Sequence, residues 1–95
     1  MKPLIAALAL VSFSVMAEED ICLERAYKPA YRIMQARQVG IPMPEVMATA
    51  PTDLWKQIII RAYQQAQYMG DEYRERVSKE FANEIYMLCL TYKEA

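Results

Sequence analysis

Residues 72–92 read EYRERVSKEFANEIYMLCLTY, and their spacing decides the fold. Tyr73, Val77, Phe81, Ile85, Leu88 and Tyr92 recur three or four apart, which places them on one face of an α-helix. Glu72, Glu75, Glu80 and Glu84 alternate with Arg74, Arg76 and Lys79 around that stripe, the pattern of a solvated, ion-pairing helix face. No segment of the chain alternates apolar and polar residues with period two, so strands are not expected.

Working backwards, Met69-Gly70-Asp71 breaks the pattern, with Asp71 as the expected N-cap of this last helix. A helix from about Leu54 to Tyr68 precedes it, capped by Thr52 or Asp53. Its inner face is Leu54, Trp55, Ile58, Ile59, Ala62 and Ala66, with Ile60 on the back. Ile41-Pro42-Met43-Pro44 cannot be helical throughout, because each proline restrains the residue before it. Pro44 is placed to open a one- or two-turn helix through Ala48, and Pro51 closes it. The first helix runs from Asp20 or Ile21 to Val39, with Gly40 as its left-handed stop. Cys22, Leu23, Ala26, Ala30, Ile33 and Met34 form its apolar face. Pro29 either kinks this helix or starts a new one. The expected fold is all-α: a small bundle of three main helices plus one short helix, stapled by one disulfide.

The N-terminus specifies a destination. Lys2 precedes an apolar run, Leu4 to Val15, and Val15-Met16-Ala17 supplies small residues for a signal peptidase. A signal peptide over 1–17 is expected, cleaved after Ala17, with a single helical domain over 18–95. The run is too short to span a bilayer comfortably, and Glu18-Glu19-Asp20 follows it in place of a basic flank. The mature segment is thus expected to be exported, soluble and periplasmic, with no stable membrane insertion.

Export puts Cys22 and Cys89 in an oxidising compartment, where their pairing is the expected staple. Closing so long a loop stabilises the fold by roughly 4 kcal/mol in the chain-entropy model. Metal, redox and lipid-anchor roles are disfavoured: the chain has no histidine and no Cys-x-x-Cys, and Cys22 is not the first mature residue.

Little catalytic chemistry is on offer. Ser78 is the only serine after the leader, and Gly40 and Gly70 make no phosphate loop. Neither an enzyme nor a cofactor is expected. A carboxylate-based cell-wall hydrolase is the weakest of the readings considered. Without Lys2 the chain holds ten basic and twelve acidic residues and no cationic stripe, which argues against nucleic acid.

A binding surface is better supplied. Seven tyrosines, Trp55 and six arginines are residue types enriched at interface hot spots. The back of the third helix, with Ile60, Arg61, Tyr63, Gln64 and Gln67, is the expected protein-binding patch. Arg37 falls at the centre of the first helix's apolar face. It is expected to reach Asp71, Glu72 or Glu75, or the carbonyls closing its own helix, or else to serve a partner interface.

Ile33-Met34-Gln35-Ala36-Arg37-Gln38-Val39-Gly40-Ile41-Pro42-Met43 resembles a signature of small exported proteins encoded by tailed phages and prophages. Ala62-Tyr63 followed by Tyr68, Tyr73, Arg76, Phe81, Tyr86 and Cys89 is similar to the remainder of that pattern. The resemblance extends, by spacing, over nearly all of the mature chain. It implies a phage or prophage gene product acting in the periplasm of a Gram-negative host. Many such relatives carry a proline shortly after the Ala-Tyr pair. Gln65 and Ala66 stand there in this chain, so its third helix is expected to run a turn longer. In size, export and cysteine count the chain is also similar to phage proteins that block superinfection by inhibiting an incoming phage's tail lysozyme. The expected function is therefore a periplasmic module that occludes a protein partner, in superinfection exclusion or lysis modulation. The alternative is a host envelope accessory or chaperone-like stress protein.

Overall fold

The computed structural model describes residues 21–94. The leader, its cleavage after Ala17 and the Asp20 cap lie outside the described residues. Four α-helices follow one another: α1 (Lys28–Gln38), α2 (Met43–Ala48), α3 (Asp53–Tyr63) and α4 (Asp71–Glu94). No strand occurs among the described residues, and the all-α expectation holds.

Pro29 neither ends nor begins a helix. A π-helical turn over Leu23–Tyr27 runs directly into α1, and the Lys28 N–H bonds the Leu23 carbonyl five residues back. A π turn is one of the ways a helix accommodates a proline that cannot donate. The turn keeps Cys22 and Ala26 inside, whereas Leu23, expected in the core, is 37% exposed.

The stop of α1 is as expected. Gly40 adopts φ +87°, the Ile41 N–H bonds the Ala36 carbonyl and the Gly40 N–H bonds that of Arg37. These two bonds form a Schellman motif, whose left-handed residue only glycine adopts without strain. Pro42 then takes an extended conformation and opens α2, and the Thr52 hydroxyl caps α3 by accepting from the Trp55 N–H at 3.2 Å.

α1 is the centre of the molecule. α4 packs along it antiparallel, and α3 crosses it on a neighbouring side with α2 beside them. The core is small: Ala26, Ala30, Ile33 and Met34 meet Ile58, Ile59 and Ala62 of α3, and Phe81, Ala82 and Ile85 of α4. Its alanines let the helices approach closely. The ends of the long stripe on α4 are not core, since Tyr73 is 54% and Tyr92 74% exposed. The helix outruns the bundle it packs on.

Two ties hold α4 to α1. Cys22 and Cys89 are paired at one end, with Cα atoms 5.8 Å apart and a separation of 67 positions in sequence. At the other end Gln38, fully buried, reaches the segment joining α3 to α4. Its amide nitrogen donates to the Ala66 carbonyl at 2.8 Å, and its amide oxygen accepts from the Tyr68 N–H at 2.8 Å.

That second tie corrects the expected length of α3. The helix ends at Tyr63, one turn and a half before Tyr68. Carbonyls that would continue a helix are taken by α1: Arg37 Nε donates to Gln65 O at 3.0 Å, and Gln38 holds Ala66 O. Ala66, expected on the inner face, is exposed, and the longer helix inferred from the missing proline does not form. Asp71, expected as N-cap, is the first residue of α4; Gly70, at φ +94°, precedes it and accepts from the Arg74 N–H.

Loss of the disulfide in Cys89→Ser should cost about 4 kcal/mol and lower Tm by about 15 °C or more, read by circular dichroism. Gln38→Leu keeps the volume but orphans two backbone groups. It should cost about 1–3 kcal/mol in urea denaturation, with the helix content of the native baseline unchanged.

Candidate functional site

α3 and α4 both pack on α1, yet their backbones scarcely approach each other. A cleft therefore runs between them over the π turn that leads into α1. The cleft, about 380 Å³, has Ala26 as floor, Leu54, Gln57, Ile58 and Arg61 on one wall, and Ile85, Leu88, Cys89 and Tyr92 on the other. Leu54, half exposed, and Tyr92 form its open mouth. A separate, smaller pocket of about 130 Å³ lies between α4 and the α3–α4 connection, where Met34, Val77 and Phe81 meet Gln65, Tyr68, Glu80 and Glu84. An ion pair, Arg61 to Glu84 at 3.9 Å, joins α3 to α4. Both side chains are more than half exposed, so the bridge contributes little stability and opens easily.

The cleft exists because of the sequence at three places. Ala26 is too small to fill the space above it. The inner faces of α3 and α4 turn their buried isoleucines towards α1. Finally, α3 stops at Tyr63, so no further turn of it closes on α4.

The expected patch on the back of α3 is not one helix face. Ile60 is exposed, but Gln64 and Gln67 lie past the helix end. Tyr63 is half-buried, and its hydroxyl donates to the Ile41 carbonyl at 2.6 Å. Gln67 Nε2 donates to the Arg37 carbonyl at 3.2 Å. Tyr63 and Gln67 thus bind the α1–α2 turn, while Arg61 belongs to the cleft on the other side. Gln67 also lies against Gly40, where an added Cβ would stand 3.4 Å from Nε2.

Arg37 corrects a second expectation. It makes no ion pair with Asp71, Glu72 or Glu75, and the carbonyl it finds is Gln65 O. Its guanidinium lies over the Tyr63 ring, 5.4 Å from the centroid. Arg37 is turned to the α3–α4 connection, while Gln35 and Gln38 of the same turn lie beside the start of α4. The acids have other partners: Asp71 meets Arg74 at 3.9 Å, and Glu75 meets Lys79 at 3.7 Å. Glu72 is exposed.

Glu75 also accepts a hydrogen bond from the Tyr31 hydroxyl, tying α1 to the opposite side of α4. That bond, reinforced by desolvation and by the carboxylate charge, raises the Tyr31 pKa above the usual 10.0. Desolvation likewise raises Tyr63, against the opposing charge of Arg37. Gln38 was missed from the sequence, although its place four residues after buried Met34 is a usable signal. Among the described residues no group of His, Cys, Asp and Glu is placed to hold a metal ion, and no helix is long and apolar enough to cross a membrane.

The raised Tyr31 pKa means that the folded state holds this proton more tightly than the unfolded chain does. The stabilisation is therefore complete below about pH 10 and is lost as pH rises through the folded value. Tm should fall as pH rises above about 10, and fall less in Tyr31→Phe. An equal fall in both proteins would place the alkaline sensitivity elsewhere.

No protein family, curated protein or solved structure matches this chain.

Proposed function

We propose that this protein is an exported protein-binding module, of phage or prophage origin, that acts in the periplasm by occluding a partner's surface. Superinfection exclusion or modulation of lysis are the processes that fit it. The observation that carries the binding reading is the α3–α4 cleft. Its walls are apolar, its mouth is open, and its floor belongs to the core. A surface of this kind, rimmed by Gln57, Arg61 and Glu84, is what recognition of another protein requires. The periplasm is supported by the leader and by the Cys22–Cys89 pair. The phage origin rests on the sequence resemblance alone.

The test is expression of the full chain from a plasmid, followed by challenge with a panel of tailed phages. Plating of at least one phage should fall by about tenfold or more. Leu54→Arg, which puts a charge in the cleft mouth at an exposed site, should restore it with Tm unchanged. Undiminished plating and lysis timing would overturn the phage reading. Suppressed aggregation of an unfolded client would favour a chaperone-like host role instead.

A further inference from the structure

We infer that the α3–α4 cleft is a site for a free fatty acid, whose alkyl chain lies along the apolar walls and whose carboxylate meets Arg61. This goes beyond the protein-binding reading above, since the ligand is taken up without a partner protein. Ala26, Leu54, Ile58, Ile85, Leu88 and Cys89 make the lining apolar, and Arg61 is its one charged residue. At about 380 Å³ the cleft lies in the lower range of small-ligand sites. Its walls, Leu54 to Arg61 and Ile85 to Tyr92, each rise about 10 Å, which suits an alkyl chain of medium length.

The lining decides between an alkyl chain and a peptide. The walls belong to α3 and α4 and the floor to the π turn, so their backbone groups are bonded within their own helices. Polar partners are confined to Gln57, Arg61 and the Tyr92 hydroxyl. A partner protein can meet the mouth with side chains, but a peptide backbone laid inside would bury amides without partners. An alkyl chain has no such groups to satisfy.

Charge selects the head group. Arg61 stands one turn after Gln57 on the same wall, so a guanidinium and an amide share one rim. Glu84 lies outside the lining, and its oxygen is 3.9 Å from the guanidinium, beyond hydrogen-bond distance. The Arg61 N–H groups are thus open to a ligand, and a carboxylate matches such a fork through two parallel bonds. A carboxylate carries the one charge that one guanidinium balances. A monoalkyl phosphate, at about −1.5 to −2, would bring its excess charge beside Glu84. An alkylammonium would set like charge against Arg61.

The probe is sodium decanoate, titrated below its micelle-forming concentration into the exported, disulfide-bonded protein and read by calorimetry. One molecule should bind per protein, at least about tenfold more tightly than decyltrimethylammonium, which shares the tail. Arg61→Gln should weaken decanoate by about tenfold, with Tm unchanged because the ion pair lost is an exposed one. Glu84→Gln removes the competing acid without touching the lining, and should tighten decanoate instead. Those opposite signs separate a carboxylate seated on Arg61 from burial of the tail alone. Leu54→Gln should weaken both amphiphiles. Equal affinity for the two, or tighter binding of the cation, would overturn the anionic ligand. Tighter binding of decyl phosphate would overturn the carboxylate. Uptake of many molecules per protein would overturn a built site. Absence of decanoate binding would overturn the proposal and leave the protein-binding reading to the plating result.

Discussion

The position of α4 depends on its attachment to α1, because α3 gives it almost no backbone support. That attachment is made at both ends. The Cys22–Cys89 pair fixes one, and the buried amide of Gln38, holding the segment that leads into α4, fixes the other. Between them lies a short apolar seam in which Ala30 and Met34 meet Phe81, Ala82 and Ile85. A seam of this size in a domain this small leaves little stability to spare, which is why a covalent tie matters here. Gln38 can be buried without penalty only because both ends of its amide are satisfied.

The same economy produces the cleft. Small residues on α1 bring α3 and α4 close to it, while the backbones of α3 and α4 scarcely approach each other. A fuller bundle would close the gap with another helix. This chain leaves it open and bridges it by one exposed ion pair. The apolar walls are therefore a consequence of how the core is built, and they cost no separate arrangement. Glu80 and Glu84 belong to the solvated face of this long amphipathic helix.

Arg37 and Gln38 show how neighbouring residues divide the work. Both belong to the last turn of α1, and both send side chains to carbonyls of the α3–α4 connection. Arg37 does so from the edge, lying over Tyr63, with its fork partly in water. Gln38 does so from inside. Together they replace the helical hydrogen bonds that α3 would have made had it continued, and Gln67 and Tyr63 return bonds to the α1–α2 turn. The irregular segment is held by side chains of α1 where a helix would hold itself.

Local chemistry fixed most of the fold in advance. The three-and-four spacing of Val77, Phe81 and Ile85, the Thr52 cap, the Gly40 stop and the prolines around α2 each act within a few residues. A sequence read in order therefore displays them, and two cysteines leave one intramolecular pairing. Competition between distant groups decided the rest. Whether α3 ran on to Tyr68 depended on Arg37 and Gln38, some thirty residues away, offering its carbonyls a better partner than the next helical turn. Whether Pro29 broke the first helix depended on a π turn that keeps Cys22 and Ala26 on the core. The cleft itself depended on α3 and α4 both preferring α1 to each other, a three-body choice that no single helix's periodicity records.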